Sequence, residues 1–197
     1  MSYTRVEGLI IREIPFQDYD RILSLFTPTE GLIKLFVKGS GRVKEGNSHR
    51  TAPLNIVEVV YTQGRTELYP CREITVINNQ LQLRKNLSVL ESACDMLQTI
   101  LSTQLPGKSA PELYQLLLIY LRKLPEVGNP NILSTSFRLK TLRYEGLLDY
   151  NAFKDLKTEE KQLIEVLSLC RDLKLLALID IEESLTFKIK DFFLQSL

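Results

Sequence analysis

The sequence predicts an α+β chain in two parts, a small five-stranded β-barrel followed by an all-helical domain. Three observations point there. The first third consists of β-rich runs separated by turn residues, and the apolar period then lengthens from two to about 3.6 residues. The chain also holds enough apolar residues for a core in each part, with 197 residues of which 44% are hydrophobic and 25% charged. The division is placed at residue 80, giving parts 1–80 and 81–197.

The strands come first. Five runs are read as strands: Arg5–Ile14, Arg21–Thr27, Leu32–Gly39, Asn55–Thr62 and Thr66–Ile77. Pro28 and Gly31 bracket a tight connection between the second and third, because proline presets φ and glycine accepts a left-handed φ. Gln63–Gly64 marks a hairpin between the fourth and fifth. The longest gap, Ser40 to Leu54, is polar and basic. Five short strands with one long connection after the third fit a Greek-key barrel of the OB type, and an SH3-like barrel is the competitor. Periodicity alone does not separate the two.

From about Leu81 the pattern is helical. Leu87, Leu90, Cys94, Leu97 and Leu101 recur at three- and four-residue steps and predict an apolar stripe ending near Leu105–Pro106–Gly107. Ser109, Pro111 and Glu112 form an S-x-x-E start signal for a second helix. Its body, Leu113 to Leu124, is apolar nearly all round and is expected to be the buried central helix. A third helix runs from Pro130 to Glu145 and stops at Gly146. A fourth starts near Thr158 with Glu159 and Glu160 in its first turn, burying Leu163, Val166, Leu167 and Cys170. Ser184 to Leu197 closes the chain as helix or strand.

Composition removes several chemistries. The charges nearly cancel, 25 Lys+Arg against 24 Asp+Glu, so any nucleic-acid site must be a local patch. No apolar run approaches a membrane span, and the N-terminus lacks a basic n-region and a small-residue cleavage site. A soluble chain inside the cell is expected. Cys71, Cys94 and Cys170 are far apart and form no C-x-x-C knuckle, so no metal site is predicted. Cys94 and Cys170 read as small core residues. His49 is the sole imidazole, which leaves no His-centred triad. Gly39-Ser-Gly41 lacks the third glycine of a dinucleotide loop, and adjacent acids such as Glu159 and Glu160 point apart on a helix. No enzyme and no cofactor are predicted.

Two basic segments remain. In the third strand Ile33, Leu35 and Val37 fall on one face, and Lys34, Phe36 and Lys38 on the other. With the aliphatic set inward, the outer face presents cation, ring, cation, which suits single-stranded nucleic acid. Arg42, Lys44 and Arg50 continue the charge, so Lys34 to Arg50 carries five cations against Glu45 alone. The competing reading is a solvated strand whose lysines deter edge pairing, with Phe36 packed beneath a helix. The third helix carries Arg138, Lys140 and Arg143 among Phe137, Leu139, Leu142 and Tyr144. A basic rim beside an apolar groove suits an acidic, hydrophobic peptide end. A buried stripe with snorkelling cations reads equally well.

Several segments carry a family resemblance. The opening Gly8-Leu-Ile-Ile-Arg12 is followed by Phe16-Gln-Asp-Tyr-Asp-Arg-Ile-Leu-Ser-Leu-Phe-Thr-Pro28, Glu30-Gly-Leu-Ile33 and Val37-Lys-Gly39. Glu112-Leu-Tyr-Gln-Leu-Leu-Leu118 and Phe137-Arg-Leu-Lys-Thr-Leu-Arg-Tyr-Glu-Gly146 come later. In this order they resemble the bacterial DNA repair and recombination mediator family RecO, over about residues 5–150. The resemblance implies an N-terminal OB domain, a helical domain, binding of single- and double-stranded DNA, and annealing of complementary strands. It also implies cooperation with RecR, contact with the C-terminal tail of single-strand-binding protein, indirect help to RecA loading, and a place in the cytoplasm at the nucleoid. Under it Lys34, Phe36, Lys38, Arg42, Lys44 and Arg50 become the DNA-contacting set, and Arg138, Lys140 and Arg143 the candidate for the tail. Many members follow the Phe137–Gly146 helix with zinc-holding cysteine pairs; this chain has none there and resembles a zinc-free form. A generic OB adaptor for RNA or protein, without a repair role, is the alternative.

Overall fold

A computed structural model describes residues 3–40, 49–64, 66–150 and 156–196. Five strands, β1 (Tyr3–Phe16), β2 (Asp20–Thr27), β3 (Gly31–Val37), β4 (Ile56–Thr62) and β5 (Leu68–Asn78), close into a barrel in the order β1-β2-β3-β5-β4. All neighbours are antiparallel except β3 and β5, which run parallel over Lys34–Leu68 to Phe36–Pro70. That Greek-key order is the OB arrangement and settles the choice against the SH3-like alternative.

The barrel core collects the inward side of each strand: Ile10, Leu23, Leu25, Ile33, Leu35, Val37, Val57, Val59 and Tyr61. Gly8 belongs to the same inward row, and a Cβ there would meet the Leu25 side chain at 2.7 Å. Two irregularities redirect the alternation. In β1, Ile10 pairs with Leu25 and Arg12 with Ser24, so Ile11 is an extra residue. Before that bulge the even residues face the core; after it Arg12, Ile14 and Phe16 face outward. In β5, Val60 pairs with Glu73 and Tyr61 with Cys71, which leaves Arg72 as the extra residue.

The chain forms two compact units, one of Met1–Leu81 with Gln104–Gln115, the other of Gln82–Thr103 with Leu116–Leu197. In the first, the segment 104–115 covers one end of the barrel's outer face. Pro106 bridges to Gly31 and Leu32, the Gly107 amide donates to the Leu32 carbonyl at 3.3 Å, and the Ser109 hydroxyl donates to the Pro28 carbonyl at 3.1 Å. Tyr114 packs on Phe26, ring centroids 5.7 Å apart, and its hydroxyl donates to Glu7. Burial and the nearby Glu7 carboxylate push the Tyr114 phenol well above its usual range.

The second unit is helical: α1 (Leu87–Thr103), α2 (Pro111–Lys123) from Leu116 onward, α3 (Pro130–Tyr144), α4 (Thr158–Leu169), α5 (Leu173–Leu176) and α6 (Glu183–Gln195). The last element, left open between helix and strand, is helical. Packing corrects three expectations. The central buried helix is α3, not α2. Along α2, Glu112, Gln115, Ile119 and Arg122 are exposed at three- and four-residue steps, an outward stripe that its leucine content obscured. In α1 the buried side is Val89, Ala93, Met96, Leu97 and Ile100, while Leu87 and Cys94 are exposed. Two overlapping apolar stripes compete there, and the one with the smaller Ala93 is the one that packs. In α4, Ile164, Leu167 and Ser168 are buried, Leu163 and Cys170 partly so, and Val166 faces out. Among the described residues no helix is long and apolar enough to cross a membrane.

Candidate nucleic-acid interface

The barrel's outer face across β1, β2, β3 and β5 has two ends. At one, Leu9, Phe26 and Leu32 align across the strands and are buried. At the other, three rows follow in succession. Arg12, Ser24, Lys34 and Leu68 align in the first, and Ile14, Ile22, Phe36 and Pro70 in the second. Lys38 continues the outward side of β3 into the third. Arg12, Lys34 and Lys38 are exposed, and among the described residues none of them pairs with a carboxylate.

Phe36 lies half-buried in the second row, with Phe16 meeting it edge to face at 5.8 Å between centroids and 89° between planes. Phe16 is 40% exposed, Ile14 38%, and Tyr19 in the β1–β2 turn 51%. The ring therefore packs against a second ring of the barrel. Arg12 and Lys34 on one side of an apolar, aromatic row and Lys38 on the other, where Asp20 pairs with Phe16, give stacking surface at the centre and phosphate-seeking charge at the margins. This lies on the strand 2–3 face that OB barrels use for oligonucleotides.

The end of β3 is held by its neighbours. The Gly39 amide donates to Asp20 Oδ1 at 2.7 Å, with Gly39 at φ 69°. Glu13 Oε1 accepts from Arg21 Nε at 3.0 Å and from the Thr51 hydroxyl at 3.0 Å. Buried Asn55 donates from Nδ2 to the carbonyls of His49 and Arg50, 2.7 and 3.3 Å away. Asn55 also accepts the Ile10 amide through its carbonyl, and Leu54 donates to Ile10 in return, both at 2.9 Å. The chain returning into β4 is thus tied to β1 beside its bulge, and Arg50 is presented from a fixed backbone.

Beside these residues lies a recess of about 420 Å³. Lys38, Arg50, Arg72 and Glu73 supply its charged walls, and Cys71 stands among them. Burial pushes the Cys71 thiol up to about 11, so it stays protonated and unreactive at neutral pH.

Of the DNA-contacting set read from the sequence, the structure brings Lys34, Phe36 and Lys38 onto one face and sets Arg50 at the recess. Arg42 and Lys44 lie outside the described residues. Arg12, Phe16 and Arg72 were missed. Arg12 follows one bulge and Arg72 forms the other, so a strict alternation of faces could not place either.

The cations of α3 do not share a surface. Arg138 is 3% exposed, bonded to Asp95 Oδ2 at 3.3 Å, with its guanidinium 5.7 Å from the Phe193 ring centroid. Burial lowers its pKa, and the Asp95 carboxylate opposes that shift. Lys140 donates to the Cys170 carbonyl and lies 5.6 Å from the Tyr120 ring centroid. Its pKa is lowered, chiefly by burial. Arg143 alone is exposed.

Residues 1–80 match the family described as Recombination protein O N terminal. Among curated proteins the chain is similar to the DNA repair protein RecO of Chlamydia pneumoniae, 28% identical over 144 residues, covering 73% of this chain and 57% of the relative. The DNA repair protein RecO of Chlamydia trachomatis serovar D is 30% identical over 147 residues, covering 72% and 58%. That of Acetivibrio thermocellus is 29% identical over 147 residues, covering 74% and 58%. The chain thus spans less than three-fifths of the length of these relatives.

Proposed function

Because the chain belongs to the RecO family, we propose that it is a DNA repair and recombination protein that holds single- and double-stranded DNA by its backbone and anneals complementary strands. With RecR it helps RecA load onto DNA covered by single-strand-binding protein, working in the cytoplasm at the nucleoid. The carrying observation is the outer face of β1–β3, where Arg12, Lys34 and Lys38 flank the Phe16–Phe36 ring pair. Cations there neutralise phosphates without reading sequence, which leaves base edges free to pair and lowers repulsion between strands. No covalent step is required. For the tail of single-strand-binding protein, Arg143 is the member of the α3 trio placed at the surface.

A salt titration tests the grip. Neutralising about four phosphates gives a log–log slope near −3 on single strands. Replacing Lys34, Lys38, Arg42 and Lys44 together with Ala is expected to flatten that slope and slow annealing; unchanged affinity would remove the patch from the account. Complementary oligonucleotides coated with single-strand-binding protein separate a mediator from a generic OB adaptor, since only a mediator speeds duplex formation.

A further inference from the structure

We infer that the recess at the end of β3 is a phosphate subsite selective for single strands, with Arg72 and Arg50 as its holding residues beside Lys38. The inference rests on the strand-binding reading above and adds to it a residue, Arg72, and a preference. The recess, about 420 Å³, carries three cations against Glu73 alone among the described residues. That volume is large enough for a nucleotide-sized group. The bulge in β5 makes Arg72 the residue without a β4 partner and leaves it exposed, as bulges commonly re-aim a side chain. Arg50 comes from a backbone fixed by Asn55. Among the described residues neither arginine pairs with a carboxylate.

Continuity with the ring row favours nucleic acid over an acidic peptide. Lys38 lies two residues beyond Phe36 along β3, and Arg72 two beyond Pro70, the registered neighbour of Phe36. Two residues of strand advance by about 6.7 Å, twice the roughly 3.4 Å axial rise per nucleotide of one stacked strand. A base resting on Phe36 therefore carries a phosphate two nucleotides along to the recess. A single strand can turn its backbone into such a hollow. A duplex, stiff over about 150 base pairs, keeps its phosphates on a convex surface that passes over it.

The test follows anisotropy of a labelled oligothymidylate and of a labelled hairpin duplex across a salt series. Arg50→Ala combined with Arg72→Ala is expected to reduce the single-strand slope by about 1.4, at about 0.7 per cation lost, and to leave the duplex slope in place. Arg72→Lys keeps the slope, because it keeps the charge. Arg5→Ala, whose side chain is bonded to Glu58, serves as the exposed control that changes neither. Wild-type protein that binds the oligothymidylate with a slope the double variant shares overturns the recess alone. An equal fall on both ligands overturns its selectivity, as does an acidic peptide that the double variant loses while oligonucleotide binding stays constant. Wild-type protein that binds neither ligand removes the strand-binding reading itself.

Discussion

Phe36 is half-buried and meets Phe16 edge to face, so its removal is expected to cost the fold less than loss of a core ring and, under the proposed function, to cost a bound base much. Base–aromatic stacking contributes about 1–3 kcal/mol per base. Phe36→Ala is accordingly expected to weaken single-strand binding roughly tenfold with a small change in melting temperature, and Phe36→Tyr to retain most of the affinity. Arg138 behaves in the opposite way. Its guanidinium is buried against Asp95 and Phe193, so it stabilises the helical unit. A fully buried pair costs about 3–5 kcal/mol to break; Asp95 is 40% exposed, and water can replace part of what it supplies. Asp95→Ala should therefore lower stability by only about 1–2 kcal/mol, measured by urea unfolding, and Arg138→Met by less. Nothing in the sequence distinguishes Arg138 from Lys34. One charge is buried against a half-exposed carboxylate from α1, and the other is exposed with no carboxylate partner among the described residues.

The strands were legible because proline and glycine punctuate them and because β2, β3 and β4 alternate without a break. The bulges were not. Leu9, Ile10 and Ile11 form an apolar run in which any one of the three could be the extra residue, so the outward turn of Arg12 is invisible until the partner strand is known. The helices posed a different difficulty. α3 buries Ser134, Thr135, Ser136, Arg138 and Thr141, residues that a hydropathy pattern assigns to the surface. Most of their groups are satisfied: Thr141 donates to the Phe137 carbonyl at 3.0 Å, Ser134 to the Asn131 carbonyl at 3.0 Å, and Ser136 to the Leu167 carbonyl at 2.7 Å, while the Thr135 hydroxyl has no hydrogen-bond partner among the described residues. The β2–β3 turn carries its own test. Gly31 sits at φ 63°, and a Cβ there would stand 2.0 Å from the Lys108 carbonyl oxygen. Gly31→Ala combines left-handed strain with displacement of the 104–115 segment, at a cost of about 2–4 kcal/mol. The urea midpoint should fall at constant slope.

At the scale of the molecule, the units interleave in sequence. The chain leaves the barrel unit after Leu81, returns at Gln104 and leaves again after Gln115. A fragment ending at Leu81 would lack the segment that packs on Phe26 and Leu32, exposing apolar surface at that end of the barrel. It is expected to bind a dye specific for apolar surface and to precipitate. A fragment that joins Leu81 to Gln104 through a short linker and ends at Gln115 should do neither. Equal solubility of the two would show that the segment is dispensable. Under the proposed function, the near balance of charge, 25 basic against 24 acidic side chains, leaves attraction for DNA to local cation clusters such as the barrel's face, so binding should weaken with salt in proportion to the phosphates such a cluster neutralises.

The bulge at Ile11 also bears on how such a barrel can change over generations. Point substitution alters what one outward position offers, whereas gaining or losing a single codon in β1 that the bulge does not absorb exchanges the inward and outward sets for the remainder of the strand. Were Ile11 paired in an unbroken ladder rather than bulged, Arg12, Ile14 and Phe16 would aim at the hydrophobic interior, whereas deleting Ile11 itself would leave them outward. Reading-frame-preserving insertions and deletions in this strand are therefore the mutations by which a lineage could most abruptly acquire or forfeit its grip on a polyanion.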